Sequence, residues 1–297
     1  MLNVYEQVDA NKRRSNLIIV IFALFVAVAS YFLGRALGYG PEFIGIALII
    51  SGTTSFLGYW YSDKIILGIS GARPADKNKD RLFYSVAENI SLAARIPLPK
   101  LYIVEDSAPN AFATGRDLEH AVVAATTGLL EKLDRTELEG VIAHEISHIK
   151  NYDMRLMSVV VVLVGMVTLL SDWFLRSTFG RRRERDRISA ILFIIGLVLT
   201  LLSPLIGKLI QLALSRRREL SADAGAVFIT RQPSGLMSAL TKISKDPEPL
   251  EAANKATAPL YIVNPLKGRE GSVDRFANLF STHPPIEQRI KLLQEMM

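Results

Sequence analysis

Hydrophobic and polar positions along this 297-residue chain follow two different patterns. Four stretches carry no charged side chain at all: Ser15–Gly34, Phe43–Ser62, Leu156–Ser171 and Ile188–Gly207. A helix of about 20 residues covers roughly 30 Å, one hydrocarbon core, and three of the four stretches reach that length. The stretch from Leu156 reaches it only by running past Asp172 through Trp173, Phe174 and Leu175, and a run this short also suits a buried core helix. Elsewhere the periodicity changes. Leu82–Arg95 repeats apolar residues at helical intervals, whereas Lys100–Val104 and Ala121–Ala125 have the make-up of short strands. Asp106-Ser107-Ala108-Pro109-Asn110 lies between those strands as a turn. Neither an internal repeat nor a low-complexity linker interrupts the pattern. The expectation is a mainly α chain with a small β-sheet (α+β). Its parts are an N-terminal segment over 1–14, a transmembrane helical hairpin over 15–62 turning at Gly38, Gly40 and Pro41, and one soluble domain in two pieces, 63–155 and 215–297. A second hydrophobic hairpin, spanning or membrane-associated, separates those pieces over 156–214.

Composition sharpens the membrane reading: 49% of residues are apolar and mean hydropathy is +0.25, high for a chain surrounded by water alone. The first apolar run follows Lys12, Arg13 and Arg14, and Ala27-Val28-Ala29 loosely suits a cleavage site. The run is nevertheless longer than a signal peptide's core and a second follows closely, which favours an anchor. Basic residues before the first hairpin and after it (Lys64, Arg73, Lys77, Lys79), against Arg35 alone inside it, put both ends in the cytoplasm. The second hairpin departs from that rule, since Arg176, Arg181, Arg182, Arg183, Arg185 and Arg187 crowd its connecting loop. The net charge of +6 comes from residues flanking hydrophobic stretches, an arrangement for anionic lipid rather than a docking face for nucleic acid. Cysteine is absent, so disulfides, thiolate metal clusters and a thiol nucleophile are excluded, and any metal must be held by His, Asp or Glu.

Chemistry concentrates between Leu133 and His148. Asp134 followed by Glu137 forms a capping-box pattern, and Val141, Ile142 and Ile146 supply apolar burial, so a helix is predicted there. On that helix His144 and His148 stand one turn apart and share a face suited to one metal ion, with Glu145 directed toward the water the metal activates. A chance cluster on a helix surface is the plainer alternative, and only four histidines occur in the chain. A catalytic zinc site needs a third protein ligand and one open position. The metalloprotease class with Gly three and His six residues after the second histidine is ruled out, because Asn151 and Met154 occupy those places. The next candidate is Arg216–Ala226, where Glu219 and Asp223 share a helix face. Glu219 would complete the ligand set and Asp223 would hold an imidazole N–H; alone, the pair also reads as a solvated helix end.

In these residues the chain resembles the HtpX-type integral membrane zinc metalloproteases, related more distantly to the prenyl-protein endoproteases. The resemblance rests on Asn110-Ala111-Phe112-Ala113-Thr114-Gly115, the His144–His148 motif, Glu219-Leu220-Ser221-Ala222-Asp223 and Ser281-Thr282-His283-Pro284-Pro285. They fall in family order and cover nearly the whole chain. The resemblance implies a gluzincin-type domain whose active-site helix leads into a hydrophobic hairpin, with one Zn²⁺ per chain. It further implies an edge strand near Asn110–Phe112 that pairs with an extended polypeptide substrate, with membrane proteins as the substrate class, and places Asn110 and His283 beside the scissile carbonyl. Residue chemistry alone leaves Asn110 as a turn residue, His283 as a loop histidine and His120 as structural or surface.

The expected reaction is zinc-assisted peptide hydrolysis with Glu145 as general base. A non-catalytic scaffold or holdase would need no such base, and a metal transporter would carry ionisable groups inside the apolar stretches, which hold none. His148 lies eight residues before Leu156 and Glu219 twelve after Gly207. Continuous helices would make those separations about 12 Å and 18 Å, so the metal is expected near the membrane surface on the cytoplasmic side. The proline-containing loop Pro247–Gly271 has the length of a lid but reads equally as plain surface.

Overall fold

The computed structural model describes residues 4–36, 40, 43–162, 216–253, 257–263, 265 and 284–297. Most of the second hydrophobic hairpin and His283 lie outside these residues. Helix α1 (Val4–Ala36) is a single helix of 33 residues that takes in both the basic N-terminal segment and the apolar run expected to start separately at Ser15. The change at Ser15 is one of charge only. No glycine or proline precedes Gly34 within the helix, so nothing in the backbone ends it sooner. It packs on α2 (Phe43–Trp60), where Ser51 Oγ donates to Ala23 O, and α3 (Ser62–Ile69) follows. Among the described residues no helix is long and apolar enough to cross a membrane.

A four-stranded sheet forms the floor of the site. Its strands are β1 (Arg73–Pro74), β2 (Lys100–Val104), β3 (Ala111–Thr114) and β4 (Val122–Thr126), in the order β1-β2-β4-β3. The two expected strands are β2 and the central β4, which pair in parallel, while β1 and β3 are antiparallel edges. All five residues of β4 are buried, as its unbroken apolar run requires of a strand covered on both faces. The expected helix over Leu82–Arg95 is α4 (Arg81–Ala94), closed by Arg95 in the left-handed region. Short α5 (Thr127–Lys132) then leads to the central element, α6 (Arg135–Lys150).

Helix α6 begins where the sequence predicts. Asp134 Oδ1 accepts from Glu137 N and Glu137 Oε2 accepts from Asp134 N, both at 2.9 Å, so two N–H groups at the helix start are satisfied. Leu138, Val141, Ile142, Ala143, Ile146 and Ile149 are fully buried between α4, α7 (Arg216–Thr230) and α8 (Pro233–Lys245). Gly140 permits the approach of α8, because a Cβ there would sit 2.5 Å from Leu236 N. Glu137 is itself buried and binds Ser238 and Lys242 of α8 at 2.6 and 2.7 Å, locking the two helices together. The helix stops at Asn151, and Tyr152, with φ 58°, turns the chain into a further helical run over 153–162. Helix α9 (Ile286–Gln294) closes the domain against α8 and α7.

Candidate metal centre

His144 and His148 project from the same face of α6 toward Glu219 in the first turn of α7. The two Nε2 atoms are 3.2 Å apart, and Glu219 oxygens lie 3.5 Å from His148 Nε2 and 3.8 Å from His144 Nε2. Nitrogens bound tetrahedrally to one zinc ion at about 2.0–2.1 Å would be about 3.3–3.4 Å apart. The donor set therefore matches zinc in chemistry and in spacing, with all three ligand atoms within 4.8 Å of one another. The rings meet edge to face at 89°, so their lone pairs converge while their planes stay apart. His144 and Glu219 are buried, whereas His148 keeps 16% of its side chain exposed and marks the solvent side.

Each imidazole has a carboxylate on its other nitrogen. His144 Nδ1 is 2.9 Å from Asp223 Oδ1 and His148 Nδ1 is 3.1 Å from Asp153 Oδ2. Such contacts fix the tautomer that leaves Nε2 bare for a metal. Asp223 stands on α7 one turn beyond Glu219, as the helical spacing predicts. Asp153 was not foreseen: it follows the end of α6, and only the left-handed turn at Tyr152 returns it to His148. Arg289 of α9 was also not foreseen. Fully buried, it donates to both oxygens of Asp223 at 2.8 and 2.6 Å and to Ile262 O at 3.0 Å.

These surroundings set the protonation states. Burial would raise the Asp223 carboxyl, but the charge and hydrogen bonds of Arg289, joined by His144, hold it at about 2. Burial and the Arg289 cation push His144 down to about 4 against the pull of Asp223. Burial also opposes the charged form of His148, yet Asp153, Glu219 and Glu145 prevail and raise it to about 9. The fully enclosed Glu145 is pushed up to about 7, chiefly by burial and then by the nearby Glu219 charge. A metal entering this site near neutral pH must expel the His148 proton, while His144 is already neutral. Apparent zinc affinity, measured by chelator competition, is therefore expected to rise about tenfold per pH unit between about pH 6 and 8 and to level off near 9. A flat profile would contradict a protonated His148.

Strand β3 passes beside Glu145. Thr126 N donates to Asn110 O, so Asn110, Phe112 and Thr114 turn their backbone groups toward β4, and Ala111 and Ala113 turn theirs outward. Glu145 accepts the Ala113 N–H, and Ala111 O accepts from Ile262 N at 3.0 Å. Asn110 is buried, and its side-chain amide donates to Val263 O at 3.0 Å, tying β3 to the chain around Ala258–Val263. That part of the expected lid loop thus lies along the outer edge of β3 at Ala111. His120 is remote from these groups in its bonding: its Nδ1 pairs with Asp117 at 2.6 Å on a short turn.

Residues 77–297 match peptidase family M48. A protein named Protease HtpX homolog from Dictyoglomus thermophilum is 48% identical over 98% of this chain and 94% of its own length. Another of that name, from Caldanaerobacter subterraneus, is 42% identical over 99% of this chain and 98% of its own. The crystal structure of S. mikatae Ste24p superposes at a TM-score of 0.49 with 16% identity, covering 96% of this chain and 66% of that one.

Proposed function

This chain belongs to peptidase family M48, which makes it a zinc metallopeptidase, and we propose that it hydrolyses misfolded or damaged membrane proteins from a site on the cytoplasmic side of the membrane in which it is embedded. The observation carrying this reading is the convergence of His144, His148 and Glu219 beside an enclosed carboxyl, Glu145.

His144, His148 and Glu219 would hold the zinc ion, which when bound would supply Lewis acidity toward water and the peptide carbonyl. Glu145 takes the proton of the attacking water and delivers it to the leaving amine as the C–N bond breaks and the C–O bond forms. Burial raises this carboxyl above its ordinary range, which favours its return of the proton to the amine. Asp223 and Asp153 hold the two imidazoles in register, and Arg289 holds Asp223.

Substrate adds as an extended strand along β3. Ala113 is the outward-facing residue next to Glu145, so pairing there brings a backbone carbonyl to the base, with affinity from main-chain hydrogen bonds and little sequence preference. Ala111 O is already paired with Ile262 N and the Ala113 N–H with Glu145, so a substrate strand would pair first with the Ala113 carbonyl. Asn110, committed to Val263, positions that boundary; a contact of Asn110 or His283 with the scissile carbonyl remains part of the proposal by family resemblance.

The membrane reading is supported by α1 and α2, which leave Val20, Leu24, Leu48, Ile49 and Phe56 more than half exposed, Ile49 at 70%. An apolar surface of this extent is unfavourable in water and suits lipid. At the end of α2 the Arg116 guanidinium lies 4.2 Å over the Trp60 ring and Lys64 lies 5.1 Å from the Tyr61 ring, a basic and aromatic girdle of the kind found at headgroup level. Arg116 follows β3 by two residues, so the substrate edge runs toward that girdle. In this reading 63–155 and 215–297 form one catalytic domain interrupted by the hairpin over 156–214.

The test is cleavage of casein and of a membrane-anchored unfolded reporter by the purified protein in vesicles. Cleavage should stop with a zinc chelator and return with zinc, and the anchored reporter should be cut faster. Cleavage that survives complete zinc removal contradicts the mechanism, and equal rates on both reporters contradict the membrane-protein preference.

A further inference from the structure

Ahead of its apolar run, α1 reaches the turn that follows the metal-binding helix. Three side chains of one element meet the segment Asn151–Arg155. Asn11 Nδ2 donates to Asp153 Oδ1 at 2.7 Å and to Asn151 O at 3.0 Å. Lys12 Nζ lies 4.3 Å over the Tyr152 ring, and Asn16 Oδ1 accepts from Arg155 at 2.8 Å. Ser15, fully buried, donates to Asn11 O and fixes the local helix geometry. The turn so embraced contains Tyr152 in the left-handed region, a conformation unfavourable for a residue with a Cβ.

We propose that Asn11 is a positioning residue for the metal centre, acting through Asp153 on His148. Asp153 has two oxygens with separate tasks: Oδ2 faces His148 Nδ1 and Oδ1 accepts from Asn11. Asn11 is buried at 3% exposure and all of its amide is used, since Oδ1 also accepts from Arg218 Nη1 at 3.4 Å. Arg218 immediately precedes Glu219. The amide therefore joins three elements: α1, the turn after His148, and the first turn of the helix bearing Glu219. An aspartate in its place would have the same shape, lose both donors and set a carboxylate against Asp153. Groups that hold a ligand's far nitrogen typically change metal affinity 10–100-fold when removed, and Asn11 stands one bond further out. About tenfold is expected here.

This proposal rests on the zinc reading of the site, and the wild-type chain tests that reading separately. Zinc affinity by chelator competition, and the d–d absorption of the cobalt-substituted protein, are measured for the full chain in detergent and for Asn11→Ala, Asn11→Asp and Asn16→Ala. Both Asn11 variants should bind zinc about tenfold more weakly or worse and shift the cobalt bands. Asn16→Ala breaks a bond between the same two segments without touching Asp153, and should match wild type in both. Wild-type affinity and spectrum in the Asn11 variants, or an equal loss in Asn16→Ala, overturns the positioning role. If Asn11→Ala fails to fold, the isosteric Asn11→Asp decides. A wild-type chain that binds no zinc overturns the zinc reading and this proposal with it.

Discussion

Replacing Glu145 with Gln is expected to abolish peptide hydrolysis while leaving zinc bound at one ion per chain. Gln has the shape of Glu and can still sit against the Ala113 backbone, but it cannot accept the proton of the attacking water. A positioned general base contributes about 10²–10⁴-fold to rate, and this carboxyl serves twice, at the water and at the amine. A loss at or beyond the upper end of that range is therefore expected. His144, His148 and Glu219 are untouched, so zinc content should not change. Wild-type activity should also fall on acidification below about pH 7, because only the deprotonated carboxyl acts as base; burial raises this carboxyl, and a zinc cation beside it would pull it back down. Cleavage of casein together with zinc analysis checks both points. A variant that keeps a tenth of wild-type activity would remove Glu145 from the mechanism, whereas loss of zinc would make it a structural group instead.

What the sequence disclosed followed local rules. The capping box at Asp134 and Glu137, the histidines one turn apart and the carboxylates of Glu219 and Asp223 one turn apart are all consequences of helix geometry, which fixes neighbours within a turn. The strands β2 and β4 were legible because each is a compact apolar run. Strand β1 was not, since two residues carry no alternation. Asp153, Asn11 and Arg289 were hidden for a different reason. Their chemistry depends on partners brought near by tertiary packing, Asn11 to Asp153 across 142 residues and Arg289 to Asp223 across 66. In the sequence each reads as an ordinary polar residue on a helix or turn. Glu145 was legible as a base, but not the enclosure that raises its carboxyl, because that depends on tertiary packing such as that of β3 against α6.

Arg289 carries the largest stability effect expected of a single side chain in this site. Its guanidinium is entirely buried, grips both oxygens of Asp223, reaches Ile262 O and stands 3.9 Å from Glu219. Arg289→Met keeps much of the volume but strands the Asp223 carboxylate, and breaking a buried pair from one side costs about 3–5 kcal/mol. The pH dependence has a definite sign. Arg289 holds Asp223 at about 2, below its ordinary range, so the pair contributes stability above that range which is lost as pH falls toward 2. Without the arginine, burial favours the protonated acid, which relieves the variant at low pH. Its deficit should be greatest near neutrality and shrink below about pH 4. Unfolding of the metal-free chain in detergent at both pH values measures this apart from zinc. Arg289→Lys should fall between, because an ammonium supplies charge without the two-pronged grip. The double variant Arg289→Met with Asp223→Asn should recover part of the loss, since both charges leave together. A single variant as stable as wild type at neutral pH, or a deficit that grows on acidification, would mean that Asp223 does not depend on Arg289. The carboxylate behind His144 would then be held by the imidazole alone.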